Sequence, residues 1–426
     1  MILTSILTKK TNFMKQFKFN LILAFVAAIS LVNCTFDDNP NYSAIDSSEN
    51  ELLVKKFTTA PNFDGEIDEI WSTARPLLST ASVSKAGNRI IPLNGSSKGN
   101  AALEPTDLFD PYTGENYKYS LRGGHDGEYL YLLLEFDDDE DSMDRESFYF
   151  DPASKTWKQE NKYANNKNDK FYEDKFAMMF PIKVNGAYPE GFATGTCTIT
   201  CHSGLTDPQP GQKTTRHYMK NAGELADLWH WKRNRNVLSQ SVDDGYVMDA
   251  EGKDGKASAN GRKSDAGIKM YDDSPVFTDP VTGKKGPKWV KKGEANYYWI
   301  TTAELASGAA QTVTGVAVDG TLTLSDGATI NPNFHLASYA KGTGNKRFPS
   351  ITVNPGGAGN DFRSDTQVRA KHNGKGWQIE IKRKLNSGDP KDAVFVVGEE
   401  IAFGLSIFNK SAIAHGTSNF KTMKIE

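Results

Sequence analysis

Cysteine is scarce in this chain. Its 426 residues contain three, Cys34, Cys197 and Cys201. That excludes a disulfide-stapled scaffold and a structural zinc site built from two cysteine pairs. An excess of one charge is also missing, since 50 basic residues face 53 acidic ones for a net charge of −3. No polybasic surface follows, so no nucleic-acid partner is expected. Beyond residue 32 no segment is apolar enough to be a transmembrane helix, and Leu21–Val32, interrupted by Ser30, is too short to span a bilayer comfortably. There is no repeat at a fixed period. No phosphate loop, Ser-His-Asp set or paired-carboxylate motif has the flanking context such sites require, so no catalytic residue is assigned. The chain does contain 38% hydrophobic and 11% aromatic residues, enough for a substantial core, and 37 glycines that punctuate short apolar runs. This pattern is that of a mostly-β protein.

The N-terminus reads as a targeting segment. Lys9, Lys10, Lys15 and Lys18 precede the apolar run, which ends in "LVNC". Residues 1–33 are expected to be a lipoprotein signal peptide, with Cys34 as the lipidated residue. A multiply acylated cysteine holds a protein on a membrane without spanning it. The expected location is therefore exported and membrane-anchored, periplasmic or on the outer membrane or cell surface. Residues 34–53 are polar and aperiodic and read as a tether. One domain is expected over 54–426, with an insertion at about 235–290.

Within that domain Asp64 can cap a short helix whose Ile67, Ile70, Trp71 and Ala74 share one apolar face. "YKYSLRGGHDGEYLYLLLEF" is a hairpin whose second run is apolar enough for a central strand. "DKFAMMFPIKV" is a buried strand in which Met178 and Met179 face opposite sides. Asn373-Gly374 marks a hairpin turn, followed by Trp377, Ile379 and Ile381 in alternation with polar residues. The first and last strand groups are expected to share one sheet system. The acidic run Asp137–Asp144 lacks EF-hand spacing, so a solvated loop is expected there ahead of a calcium site.

The stretch "CTITCHSG" places Cys197, Cys201 and His202 together. A disulfide between the cysteines would close a small loop, constrain little chain and leave His202 unexplained. Structural zinc needs ligands that the sequence does not supply nearby. Covalent haem uses all three residues. The attachment motif C-x-x-C-H appears here with one extra spacer, two thiols can add to the porphyrin vinyl groups, and the adjacent histidine can serve as proximal iron ligand. Haem c is the expected cofactor, and a Cys197–Cys201 disulfide is the alternative.

The motif's surroundings, "YEDKFAMMFPI", "ELADLWHWKRNRN" and "AKHNGKGWQIEIKRKLNSGDPKDAVF", resemble the haem-binding domain of the ethylbenzene dehydrogenase γ-subunit family. "FDGEIDEIWSTA" is similar to the start of family 9 carbohydrate-binding modules. The resemblance covers most of residues 54–426. It implies an all-β antiparallel β-sandwich, with short helices and long loop insertions, holding one haem for electron transfer. In that family the haem is b-type, with methionine and lysine ligands. The interval that should supply the methionine has none here and carries Cys197, Cys201 and His202 instead, which implies a c-type member. The family's lysine falls near Lys371–His372. Strand parity puts His372 with Val368 and Ala370 on one face, making His372 the expected distal ligand. His230, between Trp229 and Trp231, is the second candidate, as ligand, propionate partner or core histidine. The tryptophans are expected to line the haem edge, and Lys232 and Arg233 are candidate propionate partners. The expected function is a lipid-anchored c-type cytochrome that relays electrons to a redox partner protein and is not itself an enzyme. The competing readings are a haem-bearing γ-like subunit of a molybdenum oxidoreductase, and a carbohydrate-binding module in which Tyr297, Tyr298 and Trp299 stack on sugars.

Overall fold

The computed structural model describes residues 47–82, 116–160, 171–196, 219, 221–249, 261–273, 276–292, 297–341, 347–412 and 415–426. Twelve strands form its main sheet. They are β1 (Glu51–Lys56), β2 (Leu77–Ser82), β3 (Asn116–His125), β4 (Tyr129–Asp137), β5 (Lys175–Ile182), β6 (Leu225–Lys232), β7 (Asp243–Met248), β8 (Arg262–Ser264), β9 (Gln367–His372), β10 (Gly376–Lys384), β11 (Glu400–Phe408) and β12 (Gly416–Ile425). The strand order is β8-β7-β6-β5-β11-β12-β1-β3-β4-β10-β9, with β2 bonded to β12 and β3. Pairing is antiparallel except at β1, which lies parallel to both β12 and β3. The two ends of the order meet through bonds from Val242 N to Thr366 O at 2.9 Å and from Val368 N to Gln240 O at 2.7 Å. The sheet thus folds over on itself as a β-sandwich.

Alternation explains the core. Leu121, Leu132, Leu134, Ile379 and Ile381 from one half meet Phe176, Met178, Phe180, Trp229, Trp231, Leu405 and Ile407 from the other. The Trp231 and Trp377 rings touch edge to face across it, 5.1 Å apart. β4 is central, between β3 and β10, and the Asn373-Gly374 turn is held by the Asn373 side chain, which accepts from Lys375 N and Gly376 N. A close approach explains the adjacent glycines of β3, since a Cβ at Gly124 would lie 2.0 Å from the Phe57 ring.

The helix expected near residues 67–74 is a 3-10 helix, Glu69–Thr73, starting at Asp68. Asp64 accepts from Glu66 N in a local turn instead of capping it. Trp71 fixes this segment on the outside of the sheet, packed with Phe57, Tyr131 and Leu133. A second, smaller core lies around Trp157, built from residues 148–157 and 290–348. The strands over 148–159 and 271–353 form small sheets of their own and do not pair with the main sheet. Among the described residues no helix is long and apolar enough to cross a membrane.

Candidate functional site

The side of β5, β6 and β11 turned away from the main core carries the most unusual chemistry. Odd positions of β5 (Lys175, Ala177, Met179) and even positions of β6 (Ala226, Leu228, His230, Lys232) point there, because their neighbours Phe176, Met178, Trp229 and Trp231 fill the interior. Across the strands, Ser406, Ala177, His230 and Asp243 form one row, and Gly404, Met179, Leu228 and Gly245 the next.

His230 is 8% exposed. Its Nδ1 lies 2.7 Å from Arg262 Nη2, and its Nε2 is buried with no hydrogen-bond partner. A guanidinium only donates, so Nδ1 accepts and the neutral ring carries its proton on Nε2. Burial, reinforced by Lys232, Arg262, Lys175 and Arg235, holds the imidazole well below its ordinary pKa and keeps it neutral. The ring stacks on Phe408 at 5.8 Å, and Phe408 packs on His415 at 4.5 Å. Lys175 Nζ sits 4.2 Å from the Phe408 ring centre and donates to Ala412 O at 3.0 Å. Lys232 pairs with Asp243, which also accepts from Arg363 Nε at 2.7 Å. Burial alone would raise the Asp243 carboxyl, but Lys232 and Arg363 outweigh it and hold the group far below the usual range. Glu173 is fully buried, accepts from Asn234 N, Arg235 N and Arg235 Nε, and is held low by Arg235 and Arg145 against the effect of burial.

A short helix, α1 (Phe192–Gly195), closes one end of this face. Phe192 and Met219 pack there with Met179, Leu228 and Val247, and Met219 N bonds to Met248 O at 2.9 Å. Cys197, Cys201 and His202 lie between these anchors but outside the described residues, as does Cys34. Both flanks of the CxxxCH segment are therefore fixed to the face that carries His230, two residues along β6 from Leu228.

The other sequence-named residues are elsewhere. Trp229 and Trp231 point into the sandwich core, opposite His230, where Trp229 packs on Phe180 at 4.7 Å and Trp231 stacks on Phe176 at 5.8 Å. His372 stands at the end of β9 with its ring edge-on to Trp377 at 5.1 Å. Its Nδ1 accepts from Gly374 N and its Nε2 donates to Asp138 O, so both ring nitrogens serve the hairpin. His372 packs on Trp377, which meets Trp231 on the core side of β6, whereas His230 points from the opposite side of that strand. Arg233 is held by Asp141 through two bonds of 2.6 and 2.8 Å. In the acidic run, Asp141, Asp144 and Glu140 pair with Arg233, Arg347 and Lys410. Tyr297 is half-buried against Phe348 and its hydroxyl accepts from Lys291 N, so it offers no open stacking platform. Sequence reasoning missed Lys175 and Arg262. It also missed a group of buried aspartates, Asp227, Asp244, Asp265, Asp389 and Asp392.

The family model described as ethylbenzene dehydrogenase matches residues 68–419. The chain belongs to the ethylbenzene dehydrogenase family. No curated protein matches it. Among solved structures it is similar to a family 9 carbohydrate-binding module from Caldicellulosiruptor kristjanssonii in complex with glucose, at 9% identity and TM-score 0.28, over 88% of this chain and 95% of that one. It is also similar to a candidate carbohydrate-binding protein from Bacteroides uniformis, at 7% identity and TM-score 0.30, over 89% of this chain and 100% of that one.

Proposed function

We propose that this member of the ethylbenzene dehydrogenase family is an exported, lipid-anchored electron carrier with one covalent haem, and that its redox partner is a molybdenum oxidoreductase, an association the family match fits. Cys197 and Cys201 would form the thioether links, His202 the proximal ligand and Cys34 the lipid anchor. When bound, the haem supplies reversible one-electron chemistry. The observation that carries the reading is the attachment of both flanks of the CxxxCH segment to the face of His230. One feature of that face suits the group: a buried Nε2–H beside Arg262 matches a propionate oxygen. As placed, His230 presents a proton and not a bare nitrogen, so it would hold the cofactor by a hydrogen bond and not as an iron ligand. His372, engaged at both nitrogens, stays with its hairpin.

The test is spectroscopic. Protein made with a cytochrome c maturation system should show a reduced α-band and keep its haem in acid acetone, and Cys201→Ala should lose covalent attachment. His372→Ala should leave the spectrum unchanged, whereas loss of a low-spin spectrum would restore His372 as distal ligand. A colourless protein with a Cys197–Cys201 disulfide would sink the electron-carrier reading in favour of a sugar-binding one. Cys34→Ala should release the protein from the membrane fraction.

A further inference from the structure

On the core side of β6 and β7, five aspartates surround one guanidinium. Arg383, whose side chain has no exposure, donates from Nη1 to Asp227 at 3.2 Å and pairs through Nη2 with Asp392 at 2.6 Å. Two triads overlap at Asp392. Asp227, Asp244 and Asp392 form one, Asp265, Asp389 and Asp392 the other, and in each the potential ligand oxygens lie within 4.8 Å of one another. In the first triad Asp244 accepts from Gly245 N and Thr366 Oγ1, and Asp227 accepts from Arg383 and Ala393 N through Oδ2, which leaves its Oδ1 bare. The second triad is less well served. Asp265 is 6% exposed, yet neither of its oxygens has a hydrogen-bond partner. Asp392 Oδ2 is held by Arg383 and by Ser387 Oγ at 2.5 Å, but its Oδ1 is buried and bare. Asp389 accepts through Oδ1 from Lys391 N at 2.8 Å.

Three bare buried oxygens on two neighbouring residues cost more than this region could tolerate without a counter-charge. We propose that Asp265, Asp389 and Asp392 bind one calcium ion, which ties the loop between β10 and β11 to the end of β8. The donor set is all carboxylate oxygen, without histidine or cysteine, which suits a hard cation. Calcium–oxygen distances of about 2.3–2.6 Å let oxygens as much as about 5 Å apart share one ion. Arg383 supplies a single positive charge that Asp227 and Asp392 share, with Asp244 and Asp365 close by, so the aspartate group keeps an excess of negative charge for a cation to offset. Calcium is favoured over magnesium because carboxylates set by two separate chain segments tolerate irregular coordination better than a strict octahedron. The rival occupant is a proton, since burial together with Asp392 and Asp227 pushes Asp265 up to about 9. The site does not depend on the haem proposal.

The experiment uses the full-length mature protein, stripped with EDTA and dialysed against about 1 mM CaCl2 or MgCl2, a range that saturates weak extracellular-type sites. Elemental analysis should find one calcium per chain. Calcium, and not magnesium, should raise Tm by about 3–5 °C. Asp265→Asn, whose carboxylate makes no other bond, should keep the fold and lose both the ion and the shift, and Asp389→Asn should do the same. Absence of bound calcium with an unchanged Tm in the wild type would overturn the site in favour of the proton. Equal calcium retention in both variants would overturn it as adventitious binding.

Discussion

Asp243 and Asp244 are consecutive on one strand and experience opposite fields. Asp243 points outward among Lys232 and Arg363 and is held far below the usual carboxylate range. Asp244 points inward; burial and then Asp227 and Asp392 push it well above that range. The neighbouring strand repeats the division. Its outward His230 and Lys232 sit among cations, and its inward Asp227 sits among carboxylates, where burial and Asp392 take it up to about 7 against the pull of Arg383. A rotation of half a turn per residue, the ordinary pleat, is enough to separate a basic compartment from an acidic one. The two proposed guests carry the opposite signs to these compartments, a propionate outside and a metal cation inside.

Four measurements would break or sharpen this contrast, beginning with the largest effect. Arg383→Met removes the guanidinium that pairs with Asp227 and Asp392 and should cost about 3–5 kcal/mol in denaturant unfolding. A cost below 1 kcal/mol would mean that the inner carboxylates are already neutral. Glu173→Gln keeps shape but strips the outer side of a buried anion facing Arg235 and Arg145. We expect a loss of about 3 kcal/mol. The third measurement is the acid limb of the stability curve. Glu173 has a folded pKa below its unfolded one, so the stability it contributes is present above about pH 4.3 and is lost as pH falls through the lower folded value. The Gln variant should flatten that limb, and an unaltered limb would remove Glu173 from its cause. The smallest effect is at His230. Substitution by Leu should change stability by about 1 kcal/mol or less and shift the reduction potential of the haem-loaded protein, while substitution by Gln, which keeps a donor, should restore the potential. Equal potentials in all three proteins would place the haem away from this face.

Much of the framework could be read from local pattern. The Asn373 turn, the central position of β4, the alternation of Trp377, Ile379 and Ile381 and the opposite facing of Met178 and Met179 all follow from period-two order and turn chemistry. The departures come from distant chain. Glu380 occupies a polar position of that alternation but is 2% exposed, because residues 64–71 fold over it and donate Gly65 N and Trp71 Nε1 to its carboxylate. The same parity rule, applied to "LWHWK", separates His230 from Trp229 and Trp231; adjacency in sequence suggested a shared pocket where the pleat forbids one. The acidic group was invisible for a different reason. Asp227, Asp265 and Asp392 come from three remote segments, and no spacing within any of them marks a ligand. Residues 197–218, on which the cofactor proposal depends, lie outside the described residues.

The parallel seating of β1 between β12 and β3 has a bearing on biogenesis. Glu51–Val54 align with Thr422–Ile425, so the first of the described strands to be made has no partner on one flank until the last of them has been synthesised. Contacts this remote in sequence slow closure, leaving a period in which the nascent sandwich is open along one seam. Any step that needs this chain unfolded would find its opportunity in that interval.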